Sequence, residues 1–136
     1  MRKRTKAREC ALQLLYKYDL TREPPGDLAS FWVEQDEQSQ EIKDFTEELV
    51  RGTIKYLEPI DKKLSSFATN WELKRMATVD RNVLRMSSFE LLYLEDIPAK
   101  VSINEAVDLA KKYSGEESGK FVNGILDRIK EESGKP

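Results

Sequence analysis

The sequence predicts an all-α protein of about seven helices, and three observations carry that expectation. Apolar residues recur at spacings of three and four in one segment after another, which is the periodicity of a buried helix face. Proline and glycine breakers fall between those segments. No segment shows the alternation of a half-buried strand.

The first helix carries Ala7, Ala11, Leu14, Leu15 and Tyr18, spaced 4, 3, 1 and 3 as one face requires, and runs to about Leu20. Thr21-Arg-Glu-Pro-Pro-Gly26 follows as a loop. Asp27 caps a short helix with Leu28, Phe31 and Trp32, and the polar run Glu34 to Gln40 connects onward. Ser39 opens a longer helix whose Ile42, Phe45, Leu49 and Tyr56, widened by Val50 and Ile54, face inward until Glu58-Pro59 stops it. Pro59 sits in the first turn of the next helix, where its missing N–H costs little, and Ile60, Leu64 and Phe67 form that helix's apolar side.

Asn70-Trp71-Glu72-Leu73 interrupts the pattern. Val79, Val83, Leu84, Met86, Leu91 and Leu94 then define a helix from about Thr78 to Tyr93, expected to be the central core helix. Ile97-Pro98 breaks it, and Ser102-Ile-Asn-Glu105 matches a capping box, predicting a helix start there. That helix carries Ile103, Val107, Ala110 and Tyr113 to Ser114-Gly115. A last one carries Phe121, Val122, Ile125, Leu126 and Ile129, and the polar tail Glu131 to Pro136 is predicted to be disordered.

The charge is unevenly laid out. Met1 to Arg8 holds Arg2, Lys3, Arg4, Lys6 and Arg8 and no acid, whereas the chain of 136 residues is net −2. With those five set aside, 18 of the 23 basic residues remain against 25 acidic ones, a formal charge of about −7. A basic arm thus sits on an acidic body, and it runs without Gly or Pro into the apolar stripe of the first helix. Such a cluster is either a solvated terminus or one localised phosphate-binding site.

Composition narrows the function classes. The length suits a single domain that buries about two thirds of its unfolded-chain surface. A lone cysteine, Cys10, precludes an intrachain disulfide and reads as a small core residue in a reducing cytosol. The absence of histidine removes the commonest general base and imidazole metal ligands. No apolar run reaches the roughly 20 residues of a membrane span, and no signal-peptide core is present, so a cytoplasmic protein without a membrane partner is expected.

Few constellations suggest chemistry. Gly115-Glu-Glu-Ser-Gly119-Lys120-Phe121 superficially matches a phosphate-binding P-loop, but its glycine spacing is one residue short. Phe121 also replaces the magnesium-holding Ser or Thr, and no strand precedes it. The segment could still bring Lys120 and helix N-terminal amides to one RNA phosphate, or be an ordinary connection. Arg81, Arg85 and Glu90 lie in the most apolar helix, where Arg85 and Glu90 are expected to form a partly buried ion pair. Glu72, Glu105 and Asp108 fix no metal, and no catalytic set or cofactor site is read. Tyr16 lies beside the stripe, about two turns beyond Arg8; an exposed aromatic near cations suits single-stranded RNA. Phe121 either supplies a second such ring or packs inward.

These residues together resemble the NusB family of bacterial transcription antitermination factors. The resemblance is carried by Ala7-Arg-Glu-Cys-Ala11 with Leu15-Tyr16, Val83-Leu-Arg85 with Phe89-Glu-Leu91, Ile97-Pro98, Ile103-Asn-Glu-Ala-Val107 and Phe121-Val-Asn-Gly-Ile-Leu-Asp127. Only about residues 20–40 lack a counterpart. The resemblance implies two small three-helix bundles packed across each other in one RNA-binding domain. An N-terminal helical half of about residues 1–57 would be followed by a C-terminal half of about 58–132. It implies no catalytic site and no cofactor.

The implied partners are NusE, a small-subunit ribosomal protein, and boxA single-stranded RNA, with other Nus factors and RNA polymerase reached through the complex during ribosomal RNA transcription. Carried over by position, Arg2, Lys3, Arg4, Lys6 and Arg8 would meet phosphates, with Tyr16, Glu117, Ser118, Lys120 and Phe121 lining the RNA surface. Glu117 would accept hydrogen bonds from base amino groups. Asp80 and nearby Glu72 would face the basic NusE. Thr5 stands where many relatives carry another base, which predicts fewer bidentate phosphate contacts.

Two other readings compete. A homodimer or protein-only scaffold would bury the RNA surface, because some relatives self-associate. The same helical module also occurs fused to ribosomal RNA methyltransferases, a reading disfavoured by the missing cofactor domain and active-site cysteine motif.

Overall fold

Seven α-helices and one 3-10 turn make up the described part of the chain, residues 1–68 and 73–136 of a computed structural model. No strand occurs among the described residues. The helices are α1 (Lys3–Thr21), α2 (Ala29–Gln35), α3 (Gln40–Lys55), α4 (Leu57–Phe67), α5 (Thr78–Tyr93), α6 (Ala99–Ser114) and α7 (Glu116–Ser133), with the 3-10 turn at Leu73–Arg75. Asn70, Trp71 and Glu72, read from the sequence as an interruption and a partner contact, lie outside the described residues.

Local chemistry sets several boundaries. Ser39 Oγ accepts the Ile42 N–H at 3.4 Å and starts α3 as its sequence position predicts. Asp27 Oδ1 accepts the Ala29 N–H at 2.9 Å ahead of α2. Gly115, at φ 109°, makes the sharp joint between α6 and α7 that a side chain would strain.

The helices pack around α5. It touches α1, α3, α4, α6 and α7, so the expected central helix is central. Val83, Leu84, Met86 and Leu91 of α5 are fully enclosed, and they join Leu15, Leu49, Leu64, Leu109 and Leu126 in one continuous apolar core. Gly52 lets α3 approach closely: a Cβ there would stand 2.0 Å from Phe89 Cζ. Phe89 continues into a stack with Tyr93 and Tyr56, the two tyrosine rings 4.1 Å apart at 9°.

Three expectations are corrected. The helix α6 begins at Ala99, directly after Pro98, and Ser102 is inside it rather than capping it. Proline at the cap position already fixes the entry backbone, which frees the Ser102 hydroxyl to donate into the core. The tail is ordered further than its polarity suggests, with α7 running to Ser133. Beyond it, Lys135 Nζ donates to the carbonyls of Glu90, Leu94 and Ile97 at 3.0, 2.6 and 2.8 Å, closing the C-terminal end of α5. Burial pushes the Lys135 ammonium's pKa down despite the nearby Glu90, Asp96 and Glu95.

The third correction concerns buried charge. Arg85 pairs with Asp61 (2.8 Å) and Asp19 (3.2 Å), whereas Glu90 pairs with Arg8. Burial disfavours a charged Asp19, but bonds from Arg81 and Asn82 and the charges of Arg85 and Arg81 prevail and hold its carboxyl below the usual range. Arg85 is likewise opposed by burial, yet Asp61 and Asp19 hold it firmly protonated.

Candidate nucleic-acid interface

The basic arm is the first two turns of α1. Its placement is locally unfavourable: a helix N-terminus carries partial positive charge, and α1 has no acidic residue in its first turn and no side-chain cap. Cations gathered there repel the helix dipole, and an anion placed against them would relieve both.

The five cations differ in what they can do. Arg8 is only 2% exposed, so the structure removes it from the surface predicted to meet phosphates. Its Nε and Nη2 donate to the two carboxylate oxygens of Glu90 at 2.9 and 2.7 Å, and its Nη1 reaches Glu105 at 3.3 Å. The Ser102 hydroxyl completes Glu90 at 2.8 Å, and the Thr5 hydroxyl donates to Glu105 at 2.6 Å. A helix carrying a charge inward in this way is pinned in rotation, because turning it would strand Glu90 without its counter-ion.

That pinning points the rest of the arm outward. Arg2, Lys3 and Arg4 are exposed, and Arg4 lays its guanidinium 4.3 Å from the centre of the Phe45 ring. Lys3 and Lys6 lean on Glu41 (3.4 Å) and Glu37 (2.9 Å) of the facing segment. Hydrogen bonding to Glu37 raises the Lys6 pKa. Beside the enclosed Arg8, Arg2 and Arg4 line an open groove with Asp96, Ile97, Pro98, Val101 and Glu105.

A second group forms at the other end of α5. There Ser118 Oγ, in the first turn of α7, donates to Asp80 Oδ2 at 3.1 Å, in the first turn of α5. Asp80, Glu117, Ser118 and Phe121 border one pocket of about 380 Å3. Lys120 stands in solvent 3.5 Å from Glu117, and Phe121 is half-buried against the core. Asp80, expected beside a protein partner, is thereby grouped with the residues expected beside RNA. Glu72 lies outside the described residues.

Tyr16 is 40% exposed on α1, about 12 Å along the helix from Arg8. Three residues further on, Asp19 binds Arg81 and Asn82 of α5, so the C-terminal half of α1 leads towards the end of α5 that bears Asp80. The helix therefore joins the arm to the neighbourhood of the second group.

Sequence reasoning missed Asp19, Asp61, Ser102 and Lys135 as structural partners. The available signal was the presence of Arg81, Arg85 and Glu90 on an otherwise apolar helix, which demands counter-charges from elsewhere without naming them. Among the described residues no cluster of three or more potential metal ligands occurs, and no helix is long and apolar enough to cross a membrane. Cys10 is buried and burial pushes its thiol pKa up to about 11, leaving it a poor nucleophile.

Comparison with known proteins gives a consistent answer. Residues 5–131 match the NusB family. The transcription antitermination protein NusB of Thermodesulfovibrio yellowstonii is 44% identical, over 96% of this chain and 93% of its own. Among solved structures, NusB of T. maritima aligns with a TM-score of 0.81 at 38% identity, covering 98% of this chain and 93% of that one. The antitermination factors NusB and NusE in complex with double-stranded RNA provide a chain with a TM-score of 0.88 at 33% identity, covering 97% and 98%.

Proposed function

The chain belongs to the NusB family, and from that premise we propose that it is a noncatalytic RNA-binding antitermination factor that pairs with NusE, takes boxA in nascent RNA and supports ribosomal RNA transcription. The observation that carries this reading is the cationic first turn of α1, turned to solvent by the buried Arg8–Glu90 pair on an otherwise acidic molecule. Arg2, Lys3, Arg4 and Lys6 then serve RNA phosphates, which bind all sequences alike. Tyr16 and Phe121 offer rings on which unstacked bases can rest, while Ser118 and Glu117 offer hydrogen bonds to base edges and Lys120 a further phosphate contact. Other Nus factors and RNA polymerase are reached through the assembled complex, which the protein joins as a cytoplasmic component. The solved complex of a related NusB with NusE and RNA supports both partners.

The test is fluorescence anisotropy of labelled boxA RNA, with and without NusE, at two salt concentrations and beside a scrambled RNA. Tighter binding to boxA, strengthened by NusE and weakened by salt, is the expected result. No preference for boxA with NusE present would overturn the reading. Unchanged affinity after removal of residues 1–6 would overturn the phosphate role of the arm.

A further inference from the structure

Two arginines and an aspartate share a groove without pairing. Arg2 and Arg4 line it from the start of α1 and Asp96 lines it from the α5–α6 connection, yet none of the three forms an ion pair among the described residues. Their neighbours behave otherwise. Lys3 and Lys6 have taken Glu41 and Glu37, and Glu105, the other acid of the groove, is committed to Arg8 and Thr5. Unlike charges on the walls of one groove attract, so their separation calls for a restraint on one wall.

The C-terminal tail supplies that restraint. Gly134, at φ 76°, turns the chain after α7, and the Ser133 hydroxyl accepts the Lys135 N–H at 3.1 Å, which aims the lysine at the end of α5. The Lys135 ammonium spends all three of its donors on carbonyls. Two belong to Glu90 and Leu94 at the end of α5, and the third belongs to Ile97, the residue between Asp96 and Pro98. That third bond holds the wall of the groove rather than the helix. The charges of Asp96 and Glu95 also act on this ammonium, together with that of Glu90 and against its burial. Asp96 is thus drawn towards Lys135 by charge and tied to it through the adjacent carbonyl, whereas Lys135 does not itself line the groove. A released Asp96 would be free to take Arg2 or Arg4 as Glu41 and Glu37 have taken the lysines, and an RNA phosphate would have to break that pair first.

We propose that Lys135 is a positioning residue for RNA binding: by tying the α5–α6 connection to the tail it keeps Asp96 from Arg2 and Arg4, so that both arginines stay free for phosphates. This rests on the RNA-binding reading above and adds to it a dependence of the N-terminal arm on the C-terminal tail.

The experiment measures anisotropy of labelled boxA and scrambled RNA with the full chain and NusE. Lys135→Met keeps the stem of the side chain and loses its donors and charge. It is expected to weaken binding to both RNAs by about two- to fivefold, the effect of one exposed ion pair that must break first. Adding Asp96→Asn to that variant should restore the affinity, whereas Asp96→Asn in the otherwise unaltered protein should change it much less. A purely structural role for Lys135 would lower the unfolding midpoint without this rescue. Lys135→Gln, which keeps donors for the carbonyls and gives up only the charge, should show the same rescue, so the test does not depend on how well the Met variant folds. Equal effects of Asp96→Asn with and without Lys135, or unchanged affinity in both Lys135 variants, would overturn the proposal and leave the RNA reading standing. If the unaltered protein with NusE shows no preference for boxA, that reading falls and this proposal with it.

Discussion

Arg4 and Arg8 are one helical turn apart, yet their charges have opposite uses. The Arg8 guanidinium is enclosed with Glu90, and removing it leaves a carboxylate buried with only the Ser102 hydroxyl for company. Arg8→Ala is therefore expected to cost about 3–5 kcal/mol in urea unfolding. Arg4→Ala, which gives up an exposed contact with the Phe45 ring, should cost about 0.5–1 kcal/mol. A comparable loss from both would contradict the division between inner and outer cations. Asp19 supplies a pH-dependent counterpart. Its carboxyl titrates below the unfolded value of about 3.9, so its stabilisation is present above that pH and is lost as pH falls through the lower folded value. Asp19→Asn is expected to lower the urea midpoint at pH 7, with the difference narrowing once the pH falls below about 4. A constant difference across that range would mean that the charge on Asp19 contributes nothing.

At the scale of elements, close approach of α3 to α5 depends on the missing side chain at Gly52. A methyl group would meet the Phe89 ring, which is itself stacked between core and tyrosines, so neither helix can yield cheaply. Gly52→Ala should destabilise by about 1–3 kcal/mol through overpacking, measurable as a lowered thermal midpoint. An unchanged midpoint would show that Phe89 moves aside freely. Helix positions were largely legible in the sequence because burial imposes a period on apolar residues, as in Val83, Leu84, Met86 and Leu91. What was not legible is chemistry without a period. Ser102 and Glu105 have the spacing of a capping box, but the first joins Glu90 and the second joins Thr5 and Arg8, elements about a hundred residues apart in two of these cases. Lys135 closes α5 from a tail whose composition alone reads as disordered. Of the candidate site, the sequence shows the arm by its charge, whereas the inward turn of Arg8 and the bond from Ser118 to Asp80 required the packed helices.

For the whole molecule, the proposed RNA binding ties its salt response to the balance between an acidic body and a basic arm. An overall charge of −2 gives no general attraction to a polyanion, so phosphate contacts must come from local cations. Each phosphate neutralised on a single strand contributes about −0.7 to the slope of log affinity against log salt. Replacing Arg2, Lys3, Arg4 and Lys6 together by alanine, with Arg8 retained to hold α1, should lower affinity for boxA and scrambled RNA by similar factors. The reduction in slope reports how many of the four act. Lys3 and Lys6 already lean on Glu41 and Glu37, so each must leave an acid to reach a phosphate, whereas Arg2 and Arg4 need not break an ion pair of that kind. A reduction of about 2.8 means that all four meet phosphates, and about 1.4 means that only two do. The pairing with Glu37, strong enough to raise the Lys6 pKa, argues for a value nearer the smaller one. Glu37→Gln and Glu41→Gln should then release the two lysines and steepen the slope of the otherwise unaltered protein. An unchanged slope in that double variant would show that the lysines are already engaged with RNA despite their acidic neighbours.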